Sequence, residues 1–349
     1  MASVRMADST RAEFNDAVTE PELRQLAGSP TIKTLQCSAP VTDSVWSLLD
    51  RAFFSRRPDV ELRVYGHYSL ECDLGFARRL KNVRRFAADC LRHATNVSAI
   101  AEIPDLDALS LGIFELPDLA VLDRLPTSLS TLRLDATRSK TLRLDPLARL
   151  TSLKTLSIEG HNNGIDVLAT LRALEKVTLR SITTPDLRYL TPLERLWALD
   201  VKLGSIRSFA GIEGKGSIKY LELWQVRALE RVDVVASLPG LQNLFLQSLP
   251  RVQAMPRLEG CRVLRRVWLE NMKGLGDFDA FEFAPALEEF ALVDGRRQQP
   301  QQLVPLLRNP ALRRVKAGFG SARQNRAFAQ LRGLYGKEDG EPWPPFEYR

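Results

Sequence analysis

The chain has 349 residues, of which 44% are hydrophobic and 26% charged, and its formal net charge is +7 at pH 7. These proportions are typical of a folded protein and exclude a disordered or fibrous chain. The sequence has no run of about 18 apolar residues, so it predicts no transmembrane helix. The first residues lack an apolar stretch and the cysteines are scattered, so we expect a cytoplasmic protein with reduced thiols.

The chain begins with a polar segment that becomes helical. Residues 20–27 have helical apolar spacing and precede a Gly-Ser-Pro sequence that stops a helix. We expect residues 1–31 to form a helical cap over the open hydrophobic end of the element that follows. Apolar residues three and four apart predict a second helix over residues 42–55, and a shorter helix is predicted over residues 73–80.

One pattern of apolar residues then recurs along most of the chain. Its clearest copies are LPGLQNLFL at residues 238–246 and LRRVWL at residues 264–269. After a first interval of 27 residues, successive copies lie 21–25 residues apart, and each copy predicts one short strand. The first core residues of the thirteen copies are Leu35, Leu62, Phe86, Leu109, Leu132, Leu156, Val177, Leu199, Leu221, Leu244, Val267, Phe290 and Val315.

By these residues the chain resembles the leucine-rich-repeat family over residues 32–317. Residues 150–158 and 190–196 are similar to repeats of internalin-like bacterial proteins, and residues 244–252 to the irregular repeats of plant disease-resistance proteins. The resemblance implies an α/β solenoid, a horseshoe with about 13 short parallel strands on its concave face. Helices are expected outside the first repeats, and 3₁₀ or extended segments outside the later ones.

The chain departs from the family at the turn that follows each strand. The family usually has an asparagine there, whose side chain hydrogen-bonds the backbone of the turn. We expect these turns to be packed by apolar residues instead. The residues at this position are Thr137, His161, Ile182, Gly204, Val226, Leu249 and Met272.

Residues 318–349 follow the last repeat. An apolar stripe over residues 321–335 predicts a second helical cap. The final ten residues contain three prolines, which forbid a helix. Trp343 and Phe346 in this segment either pack back on the cap or form a free docking tail, and we expect packing.

Three consecutive strands carry large aromatic side chains at positions that point away from the core. Neighbouring strands lie about 4.8 Å apart, so these side chains are expected to form one patch. Exposed aromatic residues with an arginine and carboxylates around them are typical of protein-interface hot spots. The alternative is that the rings stack on one another or support a loop. The predicted partner-binding residues are Tyr220, Glu222, Trp224, Phe245, Arg266, Trp268 and Glu270.

The sequence predicts neither catalysis nor a cofactor. Residues 211–217 (GIEGKGS) would need glycine at Phe209 and serine or threonine at Gly216 to form a phosphate loop. A last group has residue types that suit zinc, but its spacing matches no recognised zinc-binding pattern, so no metal is expected. The group consists of His67, Cys72, Cys90 and His93.

We therefore expect a non-enzymatic, monomeric bacterial scaffold that binds a protein partner and no membrane. An effector directed at a host, a toxin-neutralising protein and a recognition module of a defence system remain open as its role. The alternative function is nucleic-acid binding by the arginine-rich N-terminal third. Its basic residues are Arg56, Arg57, Arg78, Arg79, Lys81, Arg84 and Arg85.

Overall fold

The computed structural model describes residues 3–66, 70–227 and 229–349. The chain forms two compact units, Met1–Leu174 (unit 1) and Glu175–Arg349 (unit 2). In each unit the main strands join an open, mostly parallel sheet in the order in which they follow one another along the chain. This arrangement confirms the predicted repeat solenoid, since each repeat contributes one short strand beside the strand of its neighbour.

The main sheet of unit 1 has the strand order β1-β2-β3-β4-β6-β8-β9-β10, and β5 and β7 pair separately. Strands β1 and β2 are antiparallel, and the later pairs are parallel. The strands are β1 (Val4–Met6), β2 (Arg11–Phe14), β3 (Thr34–Cys37), β4 (Glu61–Tyr65), β5 (Cys72–Asp73), β6 (Arg85–Leu91), β7 (Ala94–Thr95), β8 (Ala108–Ile113), β9 (Thr131–Leu134) and β10 (Thr155–Glu159).

The main sheet of unit 2 has the order β11-β13-β15-β16-β17-β18-β19-β20, and β12 and β14 form a separate pair. Its strands are parallel throughout. They are β11 (Lys176–Arg180), β12 (Thr183–Thr184), β13 (Ala198–Lys202), β14 (Ser205–Ile206), β15 (Tyr220–Trp224), β16 (Asn243–Gln247), β17 (Arg266–Glu270), β18 (Glu289–Val293), β19 (Arg314–Ala317) and β20 (Glu338–Asp339).

Strand register follows the predicted repeat positions in both units. Leu35 pairs with Leu62 in unit 1, and Leu221 pairs with Leu244 in unit 2. Every other pair of neighbouring first core residues within a unit is aligned in the same way. These thirteen side chains are at most 1% exposed. Stacked apolar side chains therefore form the core along each sheet, as the spacing predicted.

The expected division into helices outside the first repeats and 3₁₀ segments outside the later ones holds only in part, because α-helices also occur late in unit 2 and 3₁₀ segments begin at residue 74. The α-helices are α1 (Glu20–Ala27), α2 (Asp43–Leu49), α3 (Val234–Ser237), α4 (Val304–Arg308) and α5 (Ala322–Leu334), and a π-helical turn, Asp50–Phe54, continues α2. In the described part of the chain, no helix is long and apolar enough to cross a membrane. The 3₁₀ segments are Leu74–Arg79, Val97–Glu102, Ala120–Arg124, Asp145–Arg149, Ile165–Thr170, Arg188–Leu190, Asp279–Phe281 and Pro300–Leu303.

The N-terminal segment is helical only in part, which corrects the expectation of a helical cap over residues 1–31. Strands β1 and β2 form a hairpin ahead of α1, and β2 continues the sheet with Ala12 opposite Leu35. Ala12 is fully buried and Phe14 is 3% exposed. The hairpin therefore pairs with the backbone edge of β3, while its apolar residues extend the core.

The turns after the strands have a common backbone shape in unit 2. The residue directly after each of the main-sheet strands β11, β13, β15, β16, β17 and β18 has a positive φ between 49° and 57°, although none of these residues is glycine. Gln225 is one of them, and its N–H donates to the carbonyl of Gln247 at the end of the next strand. As expected from the missing asparagines, the apolar residues Ile182, Val226, Leu249 and Met272 are buried in these turns.

Side chains from one repeat also bind backbone carbonyl groups of the repeat before it. The buried Asn309 amide donates to the carbonyls of Phe281 and Ala284, at 2.7 and 2.8 Å. Such bonds satisfy backbone groups that the irregular outer turns would otherwise leave unpaired. Arg57, Arg149, Gln298 and Lys337 make the same kind of contact elsewhere.

Candidate partner-binding face

The predicted partner-binding residues lie together on three neighbouring strands of unit 2. The registers of β15, β16 and β17 place them in three rows, each of which crosses the sheet. All seven are partly exposed. The rows are Tyr220–Asn243–Arg266, Glu222–Phe245–Trp268 and Trp224–Gln247–Glu270. We call the seven predicted residues in these rows the aromatic patch.

The aromatic rings of the patch are held by other side chains. Phe245 and Trp268 stack across β16 and β17 with centroids 6.4 Å apart and planes 20° apart. The guanidinium carbon of Arg180 lies 5.5 Å from the ring centroid of Trp224, within cation–π range. Both indole Nε1 atoms are buried, with no hydrogen-bond partner among the described residues.

Tyr220, Glu222 and Glu270 of the patch have hydrogen-bond or ion-pair partners among neighbouring side chains. The Tyr220 hydroxyl donates to Glu222 at 2.9 Å, and the ammonium group of Lys202 lies 3.0 Å from the same carboxylate. Burial, together with the nearby Glu222 and Asp200 carboxylates, raises the pKa of Tyr220. Tyr220 is therefore a neutral hydrogen-bond donor at physiological pH. In the third row, Gln247 donates to Glu270 at 2.9 Å.

Arg266 is oriented by a carboxylate on the next strand. Its Nε donates to Glu289 at 2.6 Å, and the two side chains are only 12% and 14% exposed. A paired guanidinium of low exposure keeps a fixed orientation and can direct its remaining N–H groups at a ligand.

Residues 340–349, which we call the tail, cross the amino-terminal half of this face. The rings of Trp343 and Trp268 lie 5.6 Å apart at 57°. Arg266 donates from Nη2 to the carbonyl of Pro344 at 2.9 Å, and its guanidinium carbon lies 5.0 Å from the Phe346 ring centroid. The tail thus packs against the protein, as expected, but on strand residues of the patch and not on the helical cap as predicted.

The last two tail residues extend this contact to earlier repeats. The Asn243 amide donates to the Tyr348 hydroxyl at 3.3 Å, and the Tyr348 ring lies 5.0 Å from that of Trp197. The Gln242 side chain donates to the Arg349 carbonyl at 2.6 Å and accepts from the Arg349 N–H at 2.9 Å. A side-chain amide that pairs with both backbone groups of one residue holds an extended peptide in a defined register.

Several residues that hold the tail were absent from the predicted site. Trp197, Gln242 and Arg265 occupy one repeat position, two residues before the first core residue. Arg265 donates to the carbonyl of Glu347 at 2.9 Å, and Trp197 receives the Lys176 ammonium group 4.8 Å from its ring centroid. Aromatic and long polar side chains recur at this repeat position in the sequence. This recurrence could have predicted that the contact surface extends beyond the seven patch residues.

The arginine-rich N-terminal third is partly neutralised by carboxylates. Arg57 pairs with Asp59 at 2.8 Å and also binds the carbonyls of earlier residues. Arg78 pairs with Glu102 at 3.0 Å, and Arg79 pairs with Asp43. Three of the seven basic residues proposed for nucleic-acid binding thus contact acidic side chains.

The residues considered for zinc are placed as follows. His67 lies outside the described residues, Cys72 is buried and Cys90 is exposed. The His93 ring lies 3.8 Å from Glu71 and 3.9 Å from Glu115. Among residues 3–66, 70–227 and 229–349, no group of three His, Cys, Asp or Glu side chains is placed to hold a metal ion.

No family model matches this chain, and no curated protein matches it. Solved structures with the leucine-rich-repeat fold do match. An internalin, inlF, from Listeria monocytogenes has a TM-score of 0.58 and 18% identity, over 88% of this chain and 87% of the internalin. A chain of the mouse RP105/MD-1 complex has a TM-score of 0.54 and 14% identity, over 97% of this chain and 65% of that one. These likenesses establish the leucine-rich-repeat fold of the protein.

Proposed function

We propose that this protein is a non-enzymatic scaffold that binds a protein partner through the aromatic patch of unit 2. The observation that carries the proposal is the alignment of Glu222, Phe245 and Trp268 in one row on adjacent strands, with Trp224 beside them. Aromatic side chains on a rigid sheet lose little conformational entropy when they are buried by a partner, and they dominate many protein interfaces.

The comparison with solved structures supports the general role. A repeat protein fold of this kind offers a long strand face on which contacts from several repeats can add together. The mouse neighbour was crystallised in a complex, RP105 with MD-1. The proposal for the present chain rests on its own patch, because a shared fold alone does not establish a shared function.

The patch residues away from the tail provide the sharpest test. We choose Trp224→Ala/Phe245→Ala, because the ring contacts described for these residues are with Arg180 and Trp268. The matched control is Phe283→Ala, a large side chain that is 58% exposed elsewhere in unit 2. Each variant is immobilised, exposed to native lysate and compared with the wild type by mass spectrometry, and the affinity of a captured protein is then measured with purified components.

We expect the wild type and Phe283→Ala to retain the same partner and the double variant to lose it. A loss of about 2 kcal/mol at a hot spot weakens binding more than tenfold. Thermal melting shows whether the double variant is still folded. Equal affinity of the double variant and the wild type for the captured protein would contradict the proposed site.

A further inference from the structure

The tail contacts the strand face as a bound peptide would. Its sequence, GEPWPPFEYR, contains three prolines and therefore has no regular helical form. Arg265 and Arg266 donate to the backbone carbonyls of Glu347 and Pro344, and Gln242 pairs with the backbone of Arg349. Contacts of this kind recognise an extended backbone, while ring contacts select the aromatic side chains.

The groups that bind the tail are held in place by the repeats themselves. Glu289 and Glu288 lie 2.6 and 3.3 Å from the guanidinium groups of Arg266 and Arg265, respectively. Both carboxylates belong to the strand region next to β17 and are independent of the tail. The face is therefore preorganised, which lowers the cost of binding an extended segment.

The tail lies on the surface rather than in the core. Trp343, Pro344 and Phe346 are half-buried, and Pro345 and Glu347 are exposed. Deeply buried apolar side chains, in contrast, make the largest contribution to stability. A segment with this exposure can leave the face without opening the repeat core.

The start of the tail is anchored independently of the patch. Strand β20 pairs with β19, and Asp339 contacts Arg332 and Lys316. Gly340 then lies against the Trp343 ring, so that a Cβ atom at this position would overlap the ring. This anchor keeps residues 341–349 close to the face, at an effective concentration of about a millimolar for a short tether.

We propose that the tail is an internal ligand of the unit 2 face, and that the face binds a partner segment of the same chemistry. Building on the proposed function, this inference defines the partner as an extended peptide with several prolines and two aromatic side chains three residues apart, like Trp343 and Phe346. Its carbonyls accept from Arg265 and Arg266. The partner segment displaces the tail when it binds.

The test uses the full-length protein and a fluorescent synthetic peptide of sequence GEPWPPFEYR. Two variants release the bound tail: Trp343→Ala/Phe346→Ala removes its anchoring rings, and Gly340→Ala keeps every ring but crowds Trp343. Fluorescence anisotropy measures peptide binding to the wild type and to both variants, and thermal melting checks that each is folded. A control peptide carries alanine at the positions of Trp343 and Phe346.

We expect the release variants to bind the peptide at least tenfold more tightly than the wild type, because the tethered tail no longer competes. The control peptide should bind at least tenfold more weakly than the native one, and Arg266→Ala added to the release variant should weaken binding. Hydrogen exchange of the wild type provides a second readout that needs no variant. Excess peptide should increase exchange at the Arg349 amide, whose N–H donates to Gln242 in the bound tail.

Equal peptide affinity of the wild type and two folded release variants would overturn the internal-ligand proposal. A wild-type dimer that the Trp343→Ala/Phe346→Ala variant lacks would also overturn it, because the tail would then bind a second copy. The patch proposal has a separate outcome. If capture of a partner requires Trp224 and Phe245 while the release variants fail to bind the peptide, this result would support the patch as the binding site and reject the tail as a ligand of the face.

Discussion

At the scale of single residues, the strand face of unit 2 contains an acid whose charge is unfavourable to folding. Asp200 lies in β13 with its side chain 24% exposed, accepts a hydrogen bond from Thr178 at 3.0 Å and lies 3.8 Å from Lys202. Burial raises the pKa of Asp200, and Lys202 only partly offsets this effect. The neutral acid is therefore favoured in the folded protein relative to the unfolded chain.

The sign of this shift predicts the effect of Asp200→Asn. The pKa of Asp200 is higher in the folded protein than in the unfolded chain, so the protonated acid stabilises the fold below the unfolded pKa of about 3.9. This stabilisation is lost as the pH rises through the folded pKa. At pH 7 we expect the variant to melt roughly 1–3 °C higher than the wild type, since 1 kcal/mol corresponds to about 2–4 °C in a unit of this size. The difference should shrink towards pH 4 in thermal melts across this range.

Asp339→Asn is the matched control, because the pKa of Asp339 is shifted in the opposite direction. Burial would raise the pKa of Asp339, but the bond from Arg332, the backbone N–H of Glu341 and the charge of Lys316 together lower it. Its ionised form therefore stabilises the fold at neutral pH, and that contribution is lost as pH falls through the lowered pKa. Asp339→Asn should lower the melting temperature at pH 7. If both variants changed the melting temperature at pH 7 in the same direction, the opposite pKa shifts assigned to Asp200 and Asp339 would be contradicted.

At the scale of one strand, consecutive residues have opposite roles. Leu244 is fully buried between Leu221 and Val267, whereas the next residue, Phe245, points to the other face and is half-buried. Successive side chains of a strand alternate between the two faces. The core and the patch can therefore be altered separately at neighbouring positions.

We predict that Leu244→Asp unfolds several repeats of unit 2. An unpaired carboxylate in the core would cost several kcal/mol, a large fraction of the stability of a typical domain. Phe245→Ala removes only a half-buried ring and should cost roughly 1 kcal/mol, close to the centre of measured point-mutant effects. Circular dichroism melts of both variants test the pair. A similar loss of stability in both variants would show that the core face and the patch face of β16 are assigned incorrectly.

The strands could be predicted because two apolar residues at fixed positions recur in every repeat. A slip of one residue would move Leu244 and Leu246 to the exposed face, so each strand has one favoured register. The predicted helix at residues 20–27 is α1 with the same bounds, because its Pro and Glu residues at the start and the following Gly28 define both ends. Local spacing was enough to define these elements.

The hairpin and the location of the tail depend on contacts between distant residues. Strand β2 has only Ala12 and Phe14 as buried residues, which is too short an alternation to predict a strand. Trp343 contacts Trp268, and the sequence near either residue gives no indication of this pairing. The prolines exclude a helix for the tail but do not define its partner surface. The predicted partner-binding residues are therefore neighbours, as their strand positions indicated, and their role in binding stays a prediction. The tail that lies over them was not predicted.

At the scale of the whole molecule, net charge is a poor guide to the partner. The chain carries +7, but its arginines make many pairs with acidic side chains, in both units. In the N-terminal third, Arg57, Arg78 and Arg79 contact carboxylates, while Arg56, Lys81 and Arg84 are exposed. Interspersed acids reduce the positive potential that a phosphate backbone would meet.

This charge distribution predicts that the protein does not bind nucleic acid at physiological salt. Binding carried by exposed basic side chains would weaken steeply between about 50 and 200 mM salt, because each phosphate contact releases counterions. Fluorescence anisotropy with a labelled duplex and a labelled single strand should show no saturable binding at about 150 mM salt, the range in which specific complexes remain tight.

The matched variant is Arg56→Glu/Lys81→Glu/Arg84→Glu, which reverses three exposed charges and leaves the paired arginines intact. Any weak binding at low salt should be reduced in this variant if those side chains carry it, and should be abolished by added salt in both proteins. Tight wild-type binding at 150 mM salt, lost in the variant, would contradict the prediction and assign the N-terminal third a role of its own. Absence of saturable binding in both proteins is the expected result and would exclude the exposed basic side chains of the N-terminal third as a nucleic-acid site.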